Sequence, residues 1–130
     1  MSNLKLELLD GRFAIHRFGE TNDIPAEVFR SGFFNICKTD EELSIVCPSS
    51  LELNSENSNS DWACIKVIGP LDFNLIGVLA KLLGILAEAQ ISILTLSTYD
   101  TDYILIKSEK VKEAKAVLEA ADYKFKSKSN

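Results

Sequence analysis

Histidine and cysteine are scarce in this chain: there is one histidine, His16, and there are three cysteines, Cys37, Cys47 and Cys64. No Cys-x-x-Cys pair and no Cys/His cluster occurs, so the ligand set that a zinc site needs is missing. Three thiols are also too few, and too oddly numbered, for a disulfide framework. Each lies in a strand-like apolar run, where a free thiol behaves as a small hydrophobe, and a reducing cytoplasm is the expected compartment. Gly-x-Gly-x-x-Gly, Walker and nucleophile-elbow patterns are absent, which removes the usual signatures of dinucleotide binding, nucleotide hydrolysis and esterase chemistry. Residues 1–7 alternate apolar and polar side chains instead of forming the continuous apolar core of a signal peptide. Positive charge is short as well. Fourteen Lys and Arg against nineteen Asp and Glu leave a formal charge of −5, whereas nucleic acid and anionic membranes both call for a positive field. The densest basic stretch, Lys124, Lys126 and Lys128, reads as a solvated tail.

What remains is a balanced composition, 46% apolar and 25% charged over 130 residues, typical of a globular protein. That length makes one ordinary domain or two very small ones, and buries roughly two thirds of the unfolded surface without covalent staples. Residues 4–9 and 12–18 alternate about Asp10-Gly11, a pattern that predicts a β-hairpin. Pro25 to Arg30 forms a turn or two of helix with proline at its first position. Residues 33–38 and 43–47 read as strands joined by an acidic turn, and the polar run 54–61 as a surface loop or linker. The second half is more regular. A strand over 62–68 leads through Gly69-Pro-Leu-Asp72, with Asp72 placed to cap a helix over 73–89. A strand over 91–97, a turn over 98–101 and a strand over 103–107 follow. A helix then runs from Ser108 through Ala121, with Val111, Ala114, Leu118 and Ala121 on one face, and residues 123–125 supply a last strand. The order βαββαβ is the ferredoxin-like split arrangement.

Overlaying the halves at an offset of 60 residues places Glu42-Leu-Ser-Ile-Val46 on Asp102-Tyr-Ile-Leu-Ile106, with Thr39 and Thr98 each preceding the turn. The chain therefore reads as a tandem: a degenerate module over 1–60, whose first helix is stunted, and a complete module over 61–130. In the helix over 73–89, Asn74, Gly77, Lys81, Gly84 and Glu88 form one narrow polar stripe on an otherwise apolar cylinder. A helix lying on a single sheet should be polar over a wider arc, so this one is expected to pack on more than one neighbour, which predicts a homodimer or higher oligomer. A membrane span is the alternative, but 17 residues fall short of the roughly 20 required and Lys81 sits mid-segment.

Three segments carry a family resemblance. Ile68-Gly-Pro-Leu-Asp-Phe-Asn-Leu-Ile-Gly-Val-Leu79, Leu86-Ala-Glu-Ala-Gln-Ile-Ser-Ile93 and Leu96-Ser-Thr-Tyr-Asp-Thr-Asp-Tyr-Ile-Leu-Ile106 resemble the ACT domain. The nearest type is the aspartate-kinase-like one, found also in small stand-alone bacterial proteins and in cytosolic arginine sensors. Thr39-Asp-Glu-Glu-Leu-Ser-Ile-Val-Cys47 resembles the matching turn and strand of that type's N-terminal half. Where many regulatory members carry Pro-Gly at the first helical turn, this chain has Ile76-Gly77. The resemblance implies an α+β, ferredoxin-like ACT fold in two modules. It also implies a module that binds a free amino acid or similar small metabolite and has no catalysis or cofactor of its own.

An α-amino acid needs N–H donors for its carboxylate and an acceptor for its ammonium. The turn of Gly69, Pro70 and Leu71 offers the amides of Leu71, Asp72, Phe73 and Asn74 and the positive end of a helix dipole, and Gly77, lacking a side chain, admits close approach of a ligand. Ser97, Thr98 and Asp102 offer hydroxyls and a carboxylate. Each also has a plain reading: Asp72 as a helix cap, Thr98 and Asp102 as turn stabilisers, and Gly77 as a close-packing site. His16 reads as a hydrogen-bonded surface histidine rather than a pH switch. Asp40, Glu41 and Glu42 read as an acidic turn rather than paired catalytic carboxylates. Trp62 either packs against the other module or walls a pocket. A structural or protein-interaction module with a vestigial ligand site is the competing function.

Overall fold

A computed structural model describes residues 5–68 and 77–127. In chain order the elements are β1 (Lys5–Leu8), β2 (Phe13–Phe18), a 3-10 helix (Ala26–Arg30), β3 (Asn35–Lys38), β4 (Leu43–Pro48), β5 (Asn57–Ile68), α1 (Val78–Glu88), β6 (Ile93–Ser97), β7 (Asp102–Lys107), a 3-10 turn (Ser108–Lys110), α2 (Val111–Ala120) and β8 (Lys124–Phe125). They divide into two compact units, Gly11–Trp62 and a second formed by Met1–Asp10 with Ala63–Asn130.

In the first unit the strands follow the order β3-β4-β2-β5, all antiparallel. Alternation along β2 sends Ala14, His16 and Phe18 inward. Phe18, Val28, Leu43, Ile45 and Cys47 form the buried core, with Ile24, Ile36, Leu51 and Leu53 packed half-buried against it. The first helix of the module is reduced to the 3-10 turn after Pro25, and residues 49–56 bridge β4 to β5 without a helix. Residues 57–61, expected in a loop, are strand. Their side chains are exposed, as their polarity requires, but strand pairing is a backbone property and β2 supplies the ladder. A bulge interrupts that ladder between Phe13 and Ile15, where Asp61 takes a left-handed conformation (φ 66°).

The second unit has the order β6-β7-β5-β1-β8. Its βαββαβ path from β5 to β8 is the ferredoxin-like one, with β1 added between β5 and β8, antiparallel to the first and parallel to the second. The expected hairpin about Asp10-Gly11 is therefore not formed. Both strands exist, but β1 pairs with residues 65–68 of β5 and β2 with residues 57–62. Alternation identifies a strand; it does not choose its partner. Leu6, Ile65, Val67, Leu82, Leu86, Ile91, Ile104, Ile106, Ala114 and Leu118 make the buried core.

Helix α1 begins at Val78, because Gly77 at its N-cap has φ 82° and a right-handed helix cannot pass through that conformation; residues 73–76, expected in the helix, lie outside the described residues. Asp72, expected as the cap, lies outside the described residues. The outward face is also wider than the polar residues alone suggested. Ala80 and Ala87 join Lys81, Gly84 and Glu88 in solvent, while Leu82 and Leu86 are buried and Leu79, Leu83 and Ile85 half-buried against the unit's own core. Alanine is small enough to face either way, so the apolar cylinder does not need a second neighbour. Ser108, expected to cap the last helix, instead opens the 3-10 turn ahead of α2.

Both helices end alike. The Gln90 and Ile91 amides donate to the Ala87 and Leu86 carbonyls, and the Asp122 and Tyr123 amides to the Glu119 and Leu118 carbonyls. Each is a Schellman cap, closed by contact between two buried apolar residues. In each the left-handed position holds a non-glycine residue, Gln90 (φ 62°) or Asp122 (φ 72°). Gln90→Gly and Asp122→Gly should therefore each stabilise the protein, by up to about 1 kcal/mol, read as a rise in the thermal unfolding midpoint.

Candidate functional site

Two four-residue turns, one in each unit, are closed by the same bonds. In the second unit the Thr98 amide donates to the Thr101 carbonyl at 2.8 Å. The Thr98 hydroxyl accepts from the Thr101 amide and donates to the Thr101 carbonyl, each at 3.1 Å. In the first unit the Thr39 amide donates to the Glu42 carbonyl at 2.9 Å. There the Thr39 hydroxyl accepts from the Glu41 and Glu42 amides, each at 3.1 Å. The ladders close on Ser97 opposite Asp102 and on Lys38 opposite Leu43. These pairings place Thr39 on Thr98 and Leu43 on Asp102, an offset of 59. The offset of 60 taken from the sequence matched apolar letters one position late in the strand; the hydrogen bonds fix the register.

That register separates the candidates. The Thr98 hydroxyl is spent on its turn, as is that of Thr39. Asp102 is different: its equivalent is Leu43, and the first turn forms without a carboxylate there. Asp102 is half-buried at the first position of β7 and accepts a hydrogen bond from the exposed Ser97 hydroxyl, its ladder partner. The turn does not require the Ser97–Asp102 pair, so these are two polar groups with no structural task that the first unit shares. Asp40, Glu41 and Glu42 form an acidic turn, as expected.

Sequence reasoning passed over Thr101. Its side chain is buried and its hydroxyl donates to the Val67 carbonyl, which fastens the β6–β7 turn to the end of β5. Its placement between two aspartates was the available signal, since a threonine buried there must find a partner. The bond brings Asp102 and Ser97 beside the point where β5 leaves the sheet. Helix α1 rises about 16 Å over its 11 residues and leads through Gln90 and Ile91 into the five-residue β6, also about 16 Å long. The amides of Val78, Leu79 and Ala80 precede the first intrahelical donor, Lys81, which bonds to the Gly77 carbonyl at 2.9 Å, and so present the positive end of the helix. Gly77, Ser97, Thr98 and Asp102 are thus all described. Gly69, Leu71, Asp72 and Phe73 lie outside the described residues.

His16 is buried, not on the surface as expected, because its strand position faces the first unit's core; its Nδ1 lies 2.9 Å from Ser55 Oγ. Arg17, on the opposite face of β2, pairs with Glu56 at 2.6 Å with both side chains in water, a contact worth little. Trp62 is buried and donates to the Asn59 side chain. Cys47 and Cys64 are buried, and burial pushes the Cys64 thiol up to about 12. Cys37, on β3, is exposed, contrary to its apolar-run context. Among the described residues no three His, Cys, Asp or Glu side chains gather as a metal site, and no helix is long and apolar enough to cross a membrane.

The βαββαβ path and the placement of the turn define an α+β fold of the ferredoxin-like ACT type. Residues 57–120 match the ACT domain family model, and residues 11–51 match a second model, of an N-terminal domain. A protein of Agobacterium tumefaciens with a known crystal structure is 29% identical over 100% of this chain and 97% of its own, with a TM-score of 0.90. A Vibrio cholerae protein of unknown function is 20% identical over 90% of this chain and 88% of its own, with a TM-score of 0.68. The ligand-free regulatory subunit of aspartate kinase from Thermus thermophilus is 14% identical over 92% of this chain and 97% of its own, with a TM-score of 0.63. The search of curated proteins gave no significant match. The second half of the chain thus carries an ACT domain, and the chain as a whole shares the fold of the aspartate kinase regulatory subunit.

The different duties of Thr98 and Asp102 are separable by mutation. Thr98→Val and Thr39→Val should each cost about 1 kcal/mol or somewhat more, since each leaves backbone groups of a turn unpaired. Asp102→Leu, which copies the first unit, should change stability by less than about 0.5 kcal/mol. Chemical denaturation measures all three. Gly77→Ala meets no atom of the described residues within 4 Å, so its expected cost of about 1–2 kcal/mol is that of the left-handed backbone.

Proposed function

We propose that the protein is a non-catalytic regulatory module that binds a free α-amino acid or a closely similar metabolite at the β6–β7 turn of the second unit. Asp102, with Ser97 beside it, takes the ammonium. The amides at the start of α1, which Gly77 caps, take the carboxylate, joined by those of Gly69, Leu71, Asp72 and Phe73. Thr98 holds the turn and touches no ligand. The observation that carries this reading is the Ser97–Asp102 pair, which the equivalent turn replaces with Lys38 and Leu43 at no loss of closure. The ACT-domain match over residues 57–120 supports the class of function.

A homodimer is part of the proposal, on a ground other than the helix: among the described residues β6 pairs with β7 alone, and an open sheet edge is a template for pairing. Three free thiols suit a reducing compartment such as the cytoplasm.

A thermal-shift screen of the twenty amino acids and common metabolites tests the binding. A ligand at a hundredfold excess over its Kd adds about 2.7 kcal/mol of stability. Asp102→Ala should abolish the shift, whereas Thr98→Val should lower the baseline midpoint and keep the shift. No shift with any compound, in folded protein, would overturn the proposal in favour of an interaction module with a vestigial site.

A further inference from the structure

Between β4 and β5 of the first unit, residues 49–56 form an irregular strap that starts in a turn and in which Leu51, Leu53 and Ser55 are half-buried while Glu52, Asn54 and Glu56 face solvent. Its anchorage is light. Leu51 and Leu53 pack against the core, the Ser49 and Glu56 amides donate to the Arg12 and Arg17 carbonyls, and Ser55 meets His16 Nδ1 at 2.9 Å. His16 itself is only 6% exposed. Its Nε2 is sealed from solvent and has no hydrogen-bond partner among the described residues.

We propose that His16 and Ser55 form an acid-sensitive latch: the neutral imidazole holds the strap closed, and protonation releases residues 49–56 while the strands of the first unit stay paired. In the neutral ring one nitrogen is satisfied by Ser55 and the other is bare, a defect that costs little more than one neutral hydrogen bond. In the imidazolium both nitrogens must donate, Nε2–H has no acceptor, and a charge is buried, which is far more costly. The neighbouring elements do not offset it. β4 carries no carboxylate or base, only the buried thiol of Cys47, which burial keeps protonated. In β5 Asp61 is exposed. On the strap Glu52 is exposed and Glu56 is engaged by Arg17. The 3-10 helix carries Glu27 and Arg30, both exposed. Burial alone lowers the imidazole below its ordinary value. The closed strap is therefore at full strength above about pH 6.5, and is weakened as the pH falls from there toward the lower folded value. The histidine cannot leave, since its strand is paired on both sides, to Ile45 of β4 and Ser58 of β5. The strap is the part that moves.

One histidine in 130 residues gives a single imidazole Cε1–H signal in the proton spectrum, and its titration in the full chain is the first readout. Its midpoint should lie below 6.5, and the amide signals of residues 50–56 should move with the same midpoint. Hydrogen exchange is the second. Between pH 7.5 and 5.5, after correction for intrinsic rates, protection of the Leu51 and Glu56 amides should fall by about tenfold or more while β2 and β4 amides keep theirs. His16→Gln, which can still bond to Ser55 but cannot take up a proton there, should lose this pH dependence. The proposal is overturned by a midpoint at or above 6.5, by strap amides that ignore the titration, or by equal acid sensitivity in His16→Gln. If that variant does not fold, the titration of the wild-type chain decides alone.

Discussion

A single buried hydrogen bond, from the Thr101 hydroxyl to the Val67 carbonyl, determines where the candidate site can be. It ties the turn between β6 and β7 to the last residues of β5, so that a carboxylate at the head of one strand faces the exit of another. Pairing of β7 with β5 sets the strands side by side, and this bond holds the turn itself against the end of β5. Being inside the protein, the bond is not weakened by competition from water, and losing either partner would strand a polar group.

The two units show how a repeated supersecondary motif can be kept in one place and stripped in another. Both retain a hairpin whose turn is closed by a threonine. The second unit keeps both helices over its sheet. The first reduces one helix to a 3-10 turn and replaces the other with an irregular strap. A strap covers less apolar surface than a helix, so its hold on the core is weaker and more sensitive to any single polar contact.

The duties of Ser97, Thr98 and Asp102 illustrate what an internal repeat is worth. Taken alone, each is a polar residue near a turn, with structural and binding readings equally open. Set on its counterpart, Thr98 has the same bonds as Thr39 and so belongs to the turn, whereas Asp102 corresponds to a leucine and so does not. A one-residue error in the overlay hides this, because it sets Glu42 against Asp102 and makes the carboxylate look like a shared feature of the turn.

The sequence alone determined most of the strands, the order βαββαβ, the apolar face of α2 and the position of the threonine turns, because these follow from local periodicity and local hydrogen bonds. It also carried the family resemblance, through the segments from Ile68 to Ile106. Tertiary structure alone decided that β1 and β2 pair with β5 rather than with each other, that residues 57–61 are strand, that α1 starts after Gly77, and that His16 is buried. Each of these depends on a partner distant in the chain, or on a backbone conformation that glycine permits without requiring. The physical reason is common to all four: side-chain pattern specifies which face a residue prefers, whereas the identity of the surface that covers it is a non-local choice.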